Sequence, residues 1–282
     1  MATATRTIKV AIAGINGKMG RASAKALLAE PGFEVVGGFG RSGADYVGKQ
    51  VQDLAGVSDS KKAAILVSNG FQECMAGCAP DVLLEFTEAE TAFQNGKSAL
   101  ERGIRPVIGT SGIPPEHVKE LSEIAAKKKL GALVIPNFAV GAVLMMEFAK
   151  QAGAFYSNVE IVEMHHTKKV DAPSGTAMYT TRKLAEHGNK FNQQEVKEKE
   201  LLANARGGKH ESGVRVHSLR LPGLISHQEV IFGSPGELLT IRHDSFNTDC
   251  FIKGIVIALK SVMELDGLVL GLENVLTQDH GT

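Results

Sequence analysis

The chain has 282 residues, of which 43% are hydrophobic and 22% are charged, a composition typical of globular proteins and not of disordered or fibrous ones. Its 31 basic residues balance its 31 acidic residues, whereas nucleic-acid-binding domains are usually basic, so we expect no nucleic-acid partner. Cys74, Cys78 and Cys250 are too few for a disulfide scaffold and favour reduced thiols in a cytoplasmic protein.

Neither a secretory signal nor a membrane span is predicted. The opening residues MATATRT lead into a strand-like run without the apolar core of a signal peptide. The most apolar stretch, 131–149, is interrupted by Pro136 and Asn137 and contains Glu147, whereas a bilayer span needs ~20 largely apolar residues. We therefore expect a cytoplasmic protein with no membrane partner.

Short β-branched runs alternate with helical patterns in the first half of the chain. The predicted strands are 8–13, 34–39, 64–67, 82–86, 106–108 and 133–135. The predicted helices are 21–30, 89–102 and 115–129. This alternation is typical of the α/β class and predicts a Rossmann-type, doubly wound parallel sheet over residues 1–138.

The pattern changes after residue 138. The predicted helices are 141–155, 174–187, a charged segment at 193–205, and 249–264. The predicted strands are 159–164, 214–221, 228–233 and 237–243. The last three strands look antiparallel, so we expect an α+β second domain over residues 139–245.

A glycine-rich segment between the first strand and the first helix indicates a nucleotide site. Gly14, Gly17 and Gly20 fit the pattern G-x-x-G-x-x-G. Such a turn lets backbone N–H groups and the helix N-terminus reach a pyrophosphate. A glycine turn without a ligand remains the alternative.

The end of the second predicted strand bears on the choice of cofactor. NAD-specific sites usually place Asp or Glu about 20 residues after the glycines, on the ribose 2′-OH. Here Gly40 and Arg41 follow the strand, and an arginine can pair with a 2′-phosphate. We therefore expect NADPH to be preferred and NADH to be accepted, with an ordinary surface role for Arg41 as the alternative. Residues 85–87 and 109–112 end later strands, so they should border the same crevice.

The densest polar cluster, 165–177, follows a strand and opens a helix. Ser174 is a good N-cap, and the following N–H groups with the Thr176 hydroxyl suit a carboxylate. His165, His166 and Lys169 supply positive charge and transferable protons. Because adjacent strand residues point to opposite faces, one histidine of the pair can be structural. The spacing is unlike that of a zinc motif, which disfavours a metal.

Together these motifs resemble the dihydrodipicolinate reductase family over nearly the whole chain, and residues 163–177 are the most specific part. The matching segments, in order, are VAIAGINGKMGR, EFT, GTSG, PNFAVGAVLMM, EMHHTKKVDAPSGTA, RGGKHESGVRVHSLRLPG and HQEVIFGSPGELLTIRHDS.

The resemblance implies an NAD(P)H-dependent oxidoreductase that reduces (hydroxy)dihydrodipicolinate to tetrahydrodipicolinate in the diaminopimelate route to lysine. It implies a small dicarboxylate substrate, a homotetramer built through the sheets of the second domain, and a return of residues 246–282 to the first domain. His165 would be catalytic, and Lys169 would donate the proton. The implied substrate contacts are His166, Ser174, Gly175 and Thr176. The implied cofactor contacts are Gly14, Ile15, Asn16, Gly17, Lys18, Met19, Gly109, Thr110, Ser111, Pro136, Asn137, Phe138 and Ala139. Arg41, Phe86 and Thr87 join them because their loops follow predicted strands at the same crevice.

Three positions depart from the family pattern. Gly40 stands where an acidic residue often precedes the arginine, Glu85 where Asp is commoner, and Thr248 where many members have Arg. Two other functions stay open: an NADPH-binding sensor without turnover, and a two-domain dehydrogenase with another substrate. Loss or change of residues in 163–177 would favour them, and that segment is intact.

Overall fold

The computed structural model describes residues 6–57, 63–193 and 199–276. They form two compact units, the first made of the described residues up to Ala139 and from Phe251 onward, and the second of Val140–Cys250. The chain thus returns to the first unit at Phe251, five residues after the predicted position 246.

The first unit is a seven-stranded sheet flanked by helices. Its strands are β1 (Ile8–Ala13), β2 (Phe33–Phe39), β3 (Val67–Ser68), β4 (Val82–Glu85), β5 (Arg105–Ile108), β6 (Ala132–Val134) and β12 (Leu268–Leu270). Its helices are α1 (Lys18–Ala29), α2 (Val51–Leu54), α3 (Phe71–Gly77), α4 (Ala89–Glu101), α5 (Pro115–Lys128), α8 (Ile252–Ser261) and α9 (Glu273–Leu276). The spatial order is β12-β6-β5-β4-β1-β2-β3, and the strand pairs are parallel. The predicted Rossmann-type fold is confirmed.

The central strands of this sheet are apolar because both of their faces are covered. Val10 to Ala13 in β1 and Val82 to Leu84 in β4 have no exposed surface. A continuous apolar run of this kind is typical of a strand buried between two helix layers. Since all strands run in one direction, the loops that follow them lie along one edge of the sheet.

The second unit has a mixed sheet. Its strands are β7 (Asn158–His165), β8 (Gly208–Lys209), β9 (Arg215–Arg220), β10 (Ser226–Ser234) and β11 (Glu237–Ser245), and its helices are α6 (Val140–Ala152) and α7 (Gly175–Ala185). The order is β11-β10-β7-β9-β8. Burial alternates along β7, so Val159, Ile161, Glu163 and His165 share the covered face.

The three strands expected to be antiparallel do alternate in direction, but β9 is not a neighbour of β10, because β7 lies between them. β10 pairs antiparallel with β11, but β9 pairs parallel with β7. The reason is the connection, because α7 lies between β7 and β9 in the chain. A helical crossover of this length joins parallel strands, whereas a short hairpin joins antiparallel ones.

The charged segment predicted to be helical at 193–205 contains no helix in its described part, and residues 194–198 lie outside the described residues. Leu201 and Leu202 are 90% and 75% exposed, so this segment has no buried face for a helix to pack on. Instead, the Glu200 carboxylate accepts hydrogen bonds from the backbone N–H groups of Asn204 and Arg206.

The terminal helix is also shorter than expected, since a 3₁₀ turn over Thr248–Phe251 precedes α8. In the part of the chain that the structure describes, no helix is both long and apolar enough to cross a membrane.

Candidate active site

The carboxyl-end edge of the first sheet contains a cavity of about 1110 Å³. It lies against the loops that follow β1, β2, β3 and β4. Its lining includes six of the predicted cofactor residues, Gly14, Asn16, Gly17, Arg41, Phe86 and Thr87. The lining also includes Ser42, Tyr46, Gly70, Phe71 and Asn95, none of which the sequence had indicated.

The glycine turn after β1 leaves room only for backbone. Gly14 has a φ of +72°, and a Cβ there would lie 2.9 Å from the Phe86 carbonyl oxygen. A Cβ on Gly20 would lie 2.2 Å from the Gly14 carbonyl oxygen, so α1 packs directly on the turn. Gly17 is the N-cap of α1 and provides no side-chain cap. The first-turn N–H groups therefore form a cradle that fits the pyrophosphate of a dinucleotide.

The loops after β4 and β5 are fastened to each other. The Thr110 hydroxyl donates to the Thr87 carbonyl oxygen at 2.8 Å, and Gly109 N donates to the Glu85 carbonyl oxygen at 2.8 Å. A Cβ on Gly109 would lie 2.4 Å from the Phe86 ring. These contacts give the far end of the cavity a rigid wall.

The other predicted cofactor residues do not line this cavity. They are Ile15, Lys18, Met19, Gly109, Thr110, Ser111, Pro136, Asn137, Phe138 and Ala139. Ile15 has no exposed surface, so neither its side chain nor its backbone reaches the cavity. The Phe138 ring packs edge-to-face on Phe86 at a centroid distance of 6.0 Å, which supports the wall from behind.

Glu85, at the end of β4, is a completely buried carboxyl group. It accepts hydrogen bonds from Thr87 N at 2.6 Å and from Asn95 Nδ2 at 2.8 Å. Burial raises the pKa of Glu85, and these hydrogen bonds offset only part of that rise. The Glu85 carboxyl group thus fixes the loop after β4 through hydrogen bonds to Thr87 and Asn95.

The loop after β2 is closed by a tyrosine. Arg41 N donates to the Tyr46 hydroxyl oxygen at 2.7 Å. Asn69 Oδ1 accepts from the Ser42 hydroxyl at 2.9 Å and from Gly43 N at 2.8 Å. The Arg41 side chain is exposed and lies at the cavity.

In the second unit, Glu163 and His165 lie two residues apart on the covered face of β7. Glu163 has no exposed surface, and His165 is 9% exposed. Their Oε2 and Nδ1 atoms are 2.6 Å apart. An ionised carboxylate can only accept, so Nδ1 carries the proton of this contact and Nε2 is left for other partners. His166 follows the strand and is exposed.

Arg220, at the end of β9, joins this pair to the loop that carries Lys169. Its Nη1 and Nη2 donate to Glu163 Oε2 and Oε1 at 2.9 and 2.7 Å. Nη2 also donates to the Asp171 carbonyl oxygen at 2.8 Å. The Asp171 carboxylate in turn accepts from Lys169 Nζ at 2.7 and 3.0 Å. One connected polar chain therefore holds His165 and Lys169.

Each carboxylate in this polar chain is hydrogen-bonded to a basic side chain. Burial would raise the pKa of Glu163, but hydrogen bonds from His165, Arg220 and Ser218 outweigh it and hold the pKa at about 2. The hydrogen bond from Lys169 lowers the pKa of Asp171. Both carboxylates are therefore ionised near neutral pH.

The start of α7 has the predicted N-cap, because the Ser174 hydroxyl oxygen accepts from Ala177 N at 3.2 Å. Ser174 N itself donates to Glu163 Oε1 at 3.2 Å, so Glu163 also anchors the helix start. Gly175 is exposed and Thr176 is half-buried. This leaves N–H groups of the first turn able to bind a carboxylate.

Sequence reasoning missed Glu163, Asp171 and Arg220 as site residues. The period of two along a strand could have placed Glu163 beside His165. Arg220 has no such signal, because it reaches the site through the parallel register in which it pairs with His165. That register joins residues 55 positions apart.

Two family models match the chain. One is described as the N-terminus of dihydrodipicolinate reductase and matches residues 8–138, and the other as the C-terminus of the same enzyme and matches residues 141–276. Together they cover most of both units.

Individual relatives agree with these models. 4-Hydroxy-tetrahydrodipicolinate reductase of Synechococcus elongatus is 43% identical over 95% of this chain and 98% of the relative. The enzyme of the same name from Listeria welshimeri is 43% identical over 95% of this chain and 100% of the relative. A solved structure of dipicolinate-bound dihydrodipicolinate reductase from Paenisporosarcina is 39% identical, with a TM-score of 0.83 over 95% of this chain and 99% of that one.

Proposed function

The chain belongs to the dihydrodipicolinate reductase family, and we propose that it reduces 4-hydroxy-tetrahydrodipicolinate, or the ring formed from it by loss of water, with NADPH as the preferred cofactor. The chain is an NAD(P)H-dependent oxidoreductase, as its relatives' names imply. The product, tetrahydrodipicolinate, belongs to the diaminopimelate route to lysine. The observation that carries the proposal is the polar chain joining His165 to Lys169 beside the start of α7.

The first unit supports the cofactor assignment. The glycine turn offers backbone N–H groups to a pyrophosphate, and Arg41 lies at the same cavity, where its guanidinium suits a 2′-phosphate. The reduced nicotinamide, when bound, would supply a hydride to ring carbon four of the dehydrated ring, where a C=C bond is conjugated with the C=N bond; the 4-hydroxy ring would first lose water to form it. NADH remains an accepted, weaker cofactor in this proposal.

The second unit supports the substrate assignment. A relative of this chain was solved with dipicolinate, a planar ring that carries two carboxylates. In this chain, the first-turn N–H groups of Gly175 and Thr176, capped by Ser174, suit one carboxylate. His166 is exposed after β7 and offers a further hydrogen bond to it.

The proton is delivered from the same place. Hydride addition pushes electrons towards the imine nitrogen, which must then be protonated. Lys169 donates this proton. Asp171 orients the Lys169 ammonium group, and His165 orients the substrate ring. Proton transfer from a positioned side chain typically contributes ~10²–10⁴-fold in rate.

We further propose a homotetramer that acts in the cytoplasm. On the outer face of the second unit's sheet, Leu238 of β11 is 76% exposed, which suits burial against another copy of the chain. The free thiols of Cys74, Cys78 and Cys250 suit a reducing compartment. Sedimentation velocity of the purified chain distinguishes four copies from one or two.

The experiment that tests the reaction follows the loss of absorbance at 340 nm. The substrate is made in situ from pyruvate and aspartate semialdehyde by the preceding synthase, with NADPH and NADH compared. We expect oxidation only when the complete mixture is present, and faster with NADPH. Equal rates would retain the reaction and overturn the preference. NADPH binding without oxidation would contradict the proposal and favour a sensor or another substrate.

A further inference from the structure

The loop after β2 folds back so that the Tyr46 side chain fills the space next to Gly40. The Tyr46 hydroxyl oxygen accepts from Arg41 N at 2.7 Å. A Cβ built on Gly40 would lie 2.4 Å from that oxygen and 3.0 Å from two carbons of the same ring. All three contacts are with the rigid phenol and not with the end of a flexible chain. Position 40 therefore admits no side chain while Tyr46 keeps this place.

Position 40 is also where dinucleotide-binding sites discriminate between a ribose 2′-OH and a 2′-phosphate. It follows the last residue of β2 by one and Gly20 by twenty positions. NAD-specific sites of this fold place an acidic side chain about there, hydrogen-bonded to the ribose 2′-OH. Such a carboxylate would repel the 2′-phosphate of NADPH.

We propose that Tyr46 is a specificity-determining residue, whose phenol occupies the volume of that acidic side chain and holds Arg41 for the 2′-phosphate of NADPH. The inference rests on the proposed function, because it presumes that the cavity binds a nicotinamide dinucleotide. It adds a residue that lies six positions beyond the usual acidic position and belongs to no glycine motif.

The surroundings of Tyr46 suit a doubly charged phosphate. The Arg41 side chain is exposed at the cavity, and no carboxylate in the described ranges is paired with it. Asn69 holds Ser42 and Gly43 from the other side of the loop. The loop is therefore fixed at both ends before a ligand arrives, which lowers the entropy lost on binding.

One negative group lies in the same loop and faces the cavity. Asp45 is exposed and lines the cavity, but its carboxylate is 4.0 Å from Lys49 Nζ. Because both side chains are exposed, this pair is weak and solvent-screened. Asp45 therefore reduces the net positive charge of the loop without replacing the missing acidic group at position 40.

The test measures dinucleotide binding directly, by the fluorescence of NADPH and NADH titrated with protein. The variants are Tyr46→Phe, Gly40→Asp, and the double variant Gly40→Asp with Tyr46→Ala. Tyr156→Phe is the matched control, since its hydroxyl group donates to Glu237 in the other unit. Binding is the readout, so loss of turnover does not obscure the result.

Gly40→Asp alone should weaken NADPH binding at least about tenfold without improving NADH binding, because the new side chain has no room. The double variant should bind NADH at least about tenfold more tightly than Gly40→Asp does, and should reverse the preference, because the carboxylate now reaches the ribose. Tyr46→Phe should lower the NADPH:NADH affinity ratio about three- to tenfold, the effect of losing one hydrogen bond. Tyr156→Phe should leave the ratio unchanged.

Two outcomes would overturn the inference. One is a gain in NADH affinity in Gly40→Asp as large as in the double variant. The other is a Tyr46→Phe ratio equal to that of Tyr156→Phe, which decides the matter even if the double variant does not fold. Failure of the proposed function looks different, because the wild-type chain would then bind dinucleotides without oxidising them in the complete substrate mixture.

Discussion

Two glutamates that are completely buried, Glu85 in the first unit and Glu163 in the second, differ in the sign of their pKa shifts. Glu85 accepts hydrogen bonds from two neutral groups, Thr87 N and Asn95 Nδ2, and burial raises its pKa. Glu163 is equally buried but is held by Arg220 and His165, and its pKa falls to about 2.

The difference shows that burial alone does not set the charge of a site. Cationic partners decide whether a buried carboxyl group is a permanent anion or a group that resists ionisation. The first unit uses its buried carboxyl group to shape a loop, and the second uses an anion to fix a histidine, a helix start and an arginine. We propose that this division separates cofactor positioning from proton delivery.

The largest effect is expected on turnover, when His165 or Lys169 at either end of the polar chain is replaced. We expect His165→Ala and Lys169→Ala each to lower kcat by ~10²-fold or more, the share of a positioned proton donor, while the Kd for NADPH stays within about twofold. Steady-state assays with fluorescence titration measure both. Lys168→Ala is the control, since Lys168 is exposed one position away, and near-normal turnover of the Lys169 variant would refute the donor assignment.

The next effect is on stability. Arg220→Met should lower the free energy of unfolding by about 3 kcal/mol or more, because it leaves a buried carboxylate without its bidentate partner. The double variant Arg220→Met with Glu163→Gln should recover part of this loss, since no buried charge then remains unpaired. Urea unfolding of these two variants and of the single variant Glu163→Gln measures the coupling, and additive losses would show that the two groups act independently.

The pH dependence of stability follows from the lowered pKa of Glu163. The folded value is about 2 and the ordinary value is 4.5, so the stabilisation is complete above pH 4.5 and is lost as the pH falls towards 2. The shift corresponds to about 3 kcal/mol. Unfolding of the wild type relative to Glu163→Gln, measured from pH 3 to 7, should show stability rising with pH, whereas parallel curves would mean that Glu163 is not held as an anion.

The smallest effect has the opposite sign. Because the pKa of Glu85 is raised in the folded state, its contribution to stability is present below pH 4.5 and declines as the pH rises above that value. Glu85→Gln should therefore gain stability relative to the wild type when the pH is raised from 5 to 8, because the wild type must then keep a buried carboxyl group protonated or ionise it. Thermal unfolding at the two pH values tests this, and a variant less stable at pH 8 would show that ionised Glu85 is stabilising.

Local sequence patterns could predict many features of this molecule, but they could not predict which distant residues pair. The period of two along β7 and the N-cap at Ser174 were readable because both depend on neighbouring residues. Arg220 was not, because only the parallel register with His165 brings it to Glu163. The proposed role of Tyr46 could not be predicted for a similar reason, since it depends on the turn that brings the Tyr46 ring next to Gly40. The roles of His165 and Lys169 stay predictions until the variants are assayed.

We propose that Glu163 holds His165 and the start of α7 in the geometry that proton delivery needs. A single-turnover experiment tests it most directly: enzyme saturated with NADPH is mixed rapidly with freshly formed substrate, and the wild type and Glu163→Gln are compared at 340 nm. We expect the rate to be at least about tenfold lower in the variant, a part of what a positioned donor contributes, with unchanged NADPH binding. An unchanged single-turnover rate would contradict it.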